Sequence, residues 1–113
     1  IEEKIRLLAT EIYGAAAVEF APSARADMDR FQEQGYGRLP VCMAKTQYSL
    51  SHDPALKGAP KGYTFPIREI RLQAGGGFLV PIAGDIMTMP GLGRNPSYRG
   101  IDIGDDGVIS GLF

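Results

Sequence analysis

Residues 63–83 read YTFPIREIRLQAGGGFLVPIA, and this stretch decides the fold. Phe65, Ile67, Ile70 and Leu72 alternate with Arg68, Glu69, Arg71 and Gln73, the pattern of a strand with one buried face. The phase slips between Ile67 and Ile70, which predicts a β-bulge. Gly75-Gly76-Gly77 then makes a turn, and Phe78 to Ala83 returns as a second strand, giving an antiparallel pair. The glycine triplet has the amides to meet an anion. However, a phosphate-gripping glycine loop leads into a helix, and this one leads into Phe78-Leu79-Val80, so a turn is the stronger reading.

Upstream, the period changes. Ile1, Ile5, Leu8 and Ile12 fall at helical spacing, with Glu2 and Glu3 placed to suit the helix dipole. This predicts a helix over 2–13, stopped at Gly14. Ala17 to Phe20 is a short strand. Ala21-Pro22-Ser23 opens a second helix, with a core stripe of Ala24, Met28 and Phe31 and with Asp27, Asp29 and Arg30 toward water. Gly35 ends it, and Leu39 to Ala44 is the next strand. Helix–strand–helix–strand order predicts two parallel strands joined by a right-handed crossover. Downstream lie a polar loop (Ser49–Gly62), a long irregular loop (Gly84–Gly100) and a hairpin turning at Gly104-Asp105-Asp106-Gly107. The expected class is α/β: a short parallel βαβ-type unit, then antiparallel strands and a C-terminal hairpin.

Composition bounds the function. The 113 residues suit one domain, and 44% hydrophobic with 22% charged is an ordinary globular balance. Net charge is −1, with no basic run to bind nucleic acid. No apolar run is long enough to span a membrane, and no secretion leader is visible, so the expected compartment is the cytoplasm. The single cysteine, Cys42, has apolar neighbours and reads as a small buried hydrophobe. The first helix lacks a Ser, Thr, Asp or Asn cap, which suggests a piece of a longer chain.

Candidate chemistry concentrates in LPVCMAKTQYSLSHDP, Leu39–Pro54. An apolar run breaks into Lys45, Thr46, Gln47, Tyr48 and Ser49 at a strand's carboxyl end, where ligands sit in open α/β sheets. Lys and Thr there suit a phosphate or carboxylate; the alternative is that these residues start a turn and hold the loop. No G-x-x-x-x-G-K-[ST] occurs. Ser51-His52-Asp53 resembles a triad only as letters, since triad members are neighbours in space. No spacing points to a bound metal. The apolar loop Asp85-Ile86-Met87-Thr88-Met89-Pro90-Gly91-Leu92 either lines a pocket or docks on another domain.

Four words in the same order, ATEIYGAAAVEF (Ala9–Phe20), LPVCMAKTQYSLSHDP (Leu39–Pro54), PKGYTFPIREIRLQAGGGFLVPIAGDIMTMPGLG (Pro60–Gly93) and IDIGDDGVISGLF (Ile101–Phe113), resemble the C-terminal segment of formate–tetrahydrofolate ligase. The resemblance implies an enzyme in which formate attacks the γ-phosphate of Mg-ATP to give formyl phosphate, and N10 of tetrahydrofolate then takes the formyl group. It implies a longer, homo-oligomeric parent activated by monovalent cations, with the glycine-rich ATP loop outside this segment. No cofactor is then expected to bind this chain tightly, and its partner is the remainder of the ligase. Lys45, Thr46, Gln47 and Ser49 match one family word and Asp85 and Met87 another; the resemblance implies that they line or support the active-site cleft, with no catalytic role assigned to any one. The expected activity of the segment alone is nil. The rival expectation is a non-catalytic docking or oligomerisation module; a free-standing small α/β protein is a third.

Overall fold

A computed structural model of the chain describes residues 1–86 and 95–112. The element order is α1 (Glu2–Leu7), continued by a wider π turn over Leu8–Ile12, then β1 (Ala17–Phe20), α2 (Pro22–Glu33), β2 (Thr64–Gln73) and β3 (Phe78–Ala83). A single 3-10 turn (Ser97–Arg99), β4 (Asp102–Ile103) and β5 (Ile109–Ser110) follow. The first helix stops at Gly14, whose φ of 75° lies in the left-handed region open to glycine.

The three-stranded sheet runs β1-β2-β3, with β1 parallel and β3 antiparallel to β2. The mixed α/β class, the antiparallel pair and the C-terminal hairpin therefore stand as read. The register slips between Ile67 and Glu69. That slip lets Ile67 and Ile70, three apart, both face inward while Arg68 and Glu69 face out. Val18, Phe20, Phe65, Ile67, Ile70 and Leu79 share one face and pack with Ile5 and Ala9 of the first helical run and with Ala24, Met28 and Phe31 of α2.

One pairing differs from the sequence expectation. The partner of β1 is β2, not the segment 39–44. That segment is extended but irregular, and touches the far edge of the sheet through two parallel bridges, Val41 to Leu79 and Ala44 to Ile82. It lies antiparallel to β1 with two strands between them. Among the described residues nothing pairs with its outer side, and Cys42 is exposed rather than buried.

Asp27 also departs from expectation. β1 ends at Phe20, opposite Ile67, so β2 beyond that point has no strand beside it on this side. Helix α2 fills the gap with side chains one turn apart: the Ser23 hydroxyl donates to the Arg68 carbonyl (2.6 Å), and Asp27 Oδ2 accepts from the Ile70 N–H (3.0 Å). Asp27 is consequently turned inward, its side chain only 18% exposed, while Asp29 and Arg30 face solvent. Among the described residues no helix is long and apolar enough to cross a membrane.

Candidate functional site

A hollow of about 550 Å3 opens where β1, β2 and β3 part company. Glu19 and Ala21 come from the end of β1, Pro66, Ile67 and Arg68 from the bulged part of β2, and Gly84 and Asp85 from the turn after β3. The loop residues His52, Asp53 and Pro54 close the remaining side. Pro66 lies one residue beyond the last β2–β3 pair, Ile67 with Ala83, where no ladder bond from a backbone N–H is required.

Charge in the hollow centres on Arg68. Its guanidinium pairs with Asp85 (3.3 Å) and Glu69 (3.6 Å), and Glu69 in turn holds Arg71 (2.7 Å). All are at least partly exposed, so these pairs orient more than they stabilise. The half-exposed Arg68 guanidinium shares the hollow with Pro54, Pro66 and Ile67 and with three carboxylates, Glu19, Asp53 and Asp85.

The loop that carries His52 is held by its own hydroxyls. Ser49 Oγ and Ser51 Oγ lie 2.7 Å apart, and Ser49 Oγ accepts from the Ser51 N–H. Ser51 Oγ accepts from the Asp53 N–H (3.0 Å) and donates to the Asp53 carbonyl (3.1 Å). Asp53 Oδ1 caps the Ala55 N–H (2.8 Å), a turn-initiating role that suits an aspartate before Pro54. Ser51, His52 and Asp53 form no triad, because the serine hydroxyl is engaged with backbone. The imidazole packs instead beside Tyr63 and edge-on to Phe65 (6.1 and 6.3 Å), and its buried Nδ1 has no partner among the described residues.

Behind the hollow, Tyr13 stacks on Phe65 at 5.7 Å. The Tyr63 hydroxyl lies 2.7 Å from the Tyr13 carbonyl and 3.1 Å from that of Leu50, its one proton favouring the nearer. Burial raises the pKa of both tyrosines above the ordinary 10.0; the Cys42 thiol adds to the effect at Tyr13, and Tyr13 adds to it at Tyr63.

The sequence candidates divide between these two zones. Asp85 lines the hollow. Lys45 and Asp85 leave the sheet at the same end, since Ala44 and Ile82 run parallel and the Ala83 N–H bonds the Ala44 carbonyl. The Lys45 ammonium nevertheless turns back over the Tyr13 ring (5.2 Å) and donates to the carbonyls of Thr46 and Ser49; burial lowers its pKa from 10.5. Thr46 is buried and accepts the Tyr48 N–H, Ser49 belongs to the hydroxyl mesh, and Gln47 is exposed. These four sit on the adjoining loop rather than on the walls of the hollow. Met87 lies outside the described residues, as does most of the apolar loop 86–92. Arg68 and Glu19 line the hollow without having been singled out by sequence, and His52, set aside as a triad member, lines it too. The slipped phase at 67–70 was the one available signal for Arg68, because a bulge re-aims the side chains beside it.

A bulged mixed sheet with an arginine–carboxylate hollow at its strand ends defines a mixed α/β domain. The family model for formate–tetrahydrofolate ligase matches residues 1–113, and the chain belongs to that family. It is 60% identical over 112 residues to the formate–tetrahydrofolate ligase of Roseiflexus sp. (strain RS-1), covering 99% of this chain and 20% of the relative. It is 54% identical over 112 residues to the cytoplasmic C-1-tetrahydrofolate synthase of Schizosaccharomyces pombe (99% of this chain, 12% of the relative). It is also 49% identical over 113 residues to the mitochondrial C-1-tetrahydrofolate synthase of Saccharomyces cerevisiae (100% and 12%). The chain thus spans about a fifth or less of the length of these relatives.

Proposed function

We propose that this chain is the C-terminal domain of an ATP-dependent formate–tetrahydrofolate ligase, and that its hollow is one wall of the active-site cleft. The carrying observation is identity of 60% maintained across the whole chain to a ligase five times its length. In the proposed reaction a formate oxygen attacks the γ-phosphorus of Mg-ATP, ADP leaves, and formyl phosphate forms. N10 of tetrahydrofolate then attacks the formyl carbon, losing its proton as inorganic phosphate departs. Such phosphoryl transfer depends on positioning and charge stabilisation more than on covalent help from the protein.

Within that scheme Arg68 supplies a cationic handle for an anionic group, oriented by Asp85 and Glu69. Lys45, Thr46, Gln47 and Ser49 support the wall by fixing the loop that carries His52. The nucleotide-gripping glycine loop, the bound monovalent cation and the oligomer contacts belong to the rest of the ligase. We place the parent enzyme in the cytoplasm by likeness to the cytoplasmic relative, the compartment of the mitochondrial relative being the alternative.

Two assays test this. The 113-residue chain alone yields no formate- and ATP-dependent 10-formyltetrahydrofolate; product formation by it would refute the division of labour. In the full-length ligase, Arg68→Ala lowers kcat/KM at least about tenfold through a lost charged contact, whereas unchanged kinetics would remove the hollow from the cleft. The rival reading, a non-catalytic docking or oligomerisation module, draws on the exposed isoleucines of β4 and β5, and unchanged kinetics of the Arg68 variant would favour it.

A further inference from the structure

We propose that the C-terminal hairpin is a clasp, its apolar face packed against the part of the same ligase chain that lies outside these 113 residues. The inference rests on the ligase reading above. Every residue from 101 to 112 is exposed. Ile103 and Ile109 are direct cross-strand partners yet remain 64% and 56% exposed. Ile101, two residues before Ile103, falls on the same face, while the pair Asp102 and Ser110 occupies the other. One side of the hairpin therefore carries the isoleucine cluster, and the other mixes Asp102 and Ser110 with Val108 and Leu112. Two paired residues per strand do not hold a hairpin in water by themselves, and three adjacent branched apolar side chains form a patch that calls for cover.

Size selects the occupant. Covering three isoleucines removes roughly 300 Å2 of apolar surface from water, far below the ~1,200 Å2 of a stable interface between separate molecules. Docking within one chain carries no loss of translational freedom, so a small patch is sufficient. The ligase relatives supply the surface, since 20% coverage leaves 80% of their length elsewhere.

The test uses the full-length ligase containing this sequence. Backbone amides of 102–110 exchange at least about a hundredfold more slowly than in an unstructured peptide. Ile103→Asp with Ile109→Asp abolishes that slowing and leaves β2 amides unchanged. A photo-crosslinker at Ile101, on the isoleucine face, in enzyme assembled from mixed light and 15N-labelled chains, joins the hairpin to peptides outside 1–113 carrying the same label. Unprotected amides, crosslinks between light and heavy chains, or crosslinks to residues 1–86 would each overturn the clasp. A preparation lacking ligase activity but showing protection and same-chain crosslinks would lose the ligase reading and keep the clasp.

Discussion

Replacing Asp27 by alanine tests whether a helix side chain completes the sheet. Asp27 Oδ2 accepts the Ile70 N–H at 3.0 Å, and Ile70 is a core residue with 2% exposure. Deleting the carboxylate leaves that N–H buried without a partner, at a cost of about 1–3 kcal/mol. The same carboxylate also pairs with Arg30 at 2.6 Å, but that arginine is largely exposed and the pair contributes under about 0.5 kcal/mol. The expected loss is thus about 2 kcal/mol, or about 8 °C in Tm for a domain of this size. Equilibrium urea unfolding of the chain, followed by circular dichroism, reads it as a lower midpoint with unchanged slope. Two controls isolate the cause. Arg30→Ala removes only the exposed pair and changes stability by under about 0.5 kcal/mol. Asp27→Asn keeps an acceptor oxygen and costs less than half of the alanine effect. Stability of the alanine variant within about 0.5 kcal/mol of the parent would refute the reasoning, as would an alanine loss reproduced by Arg30→Ala.

Three further outcomes follow from packing and charge. Phe65→Ala empties a fully buried site stacked on Tyr13 and lowers stability by about 3–5 kcal/mol, measured in the same urea titration. Gly84→Ala forces a side chain at φ 68° and sets its Cβ 2.8 Å from the His52 carbonyl oxygen; thermal unfolding shows a loss of at least about 1 kcal/mol. Burial holds Tyr13 and Tyr63 protonated above their ordinary 10.0. Between that value and the raised one the folded chain keeps protons that the unfolded chain has released, so stability falls as pH rises through this window. Tyr63→Phe costs about 1 kcal/mol at neutral pH from the lost hydrogen bond and makes the alkaline decline shallower in Tm scans, whereas an equally steep decline would exclude Tyr63 as a contributor.

Local features were legible because local chemistry sets them. The strands 17–20 and 78–83, the bulge after Ile67 and the hairpin turn at 104–107 all appear where residue period and turn composition put them. The partner of β1 was not legible, since alternation marks a strand without saying which strand lies beside it. Leu39 to Ala44 has a strand's composition, but it runs along the outer edge of β3 through four backbone hydrogen bonds and does not reach β1. The same one-sided contact leaves Cys42 outside, which apolar neighbours along the chain could not reveal. Asp27 reads as a surface residue until the early end of β1 leaves the Ile70 N–H in need of an acceptor. At the hollow, Asp85 was found through its word in the family pattern. His52 and Arg68 converge there from 16 positions apart (68 − 52), a proximity that no window along the sequence displays.

The order of pairing in the sheet has a consequence for biosynthesis. β2 and β3 meet across a turn of four residues, whereas Ala17 finds Thr64 only after a span of 47 positions (64 − 17). Short closures form early and long ones late. During translation β1 and both helices therefore emerge well before the strand they need, and their apolar faces stay uncovered until residue 67 has left the ribosome. The β2–β3 hairpin is made after β1 and both helices yet closes before they can pair with it, so residues 1–33 form the population that a chaperone would hold.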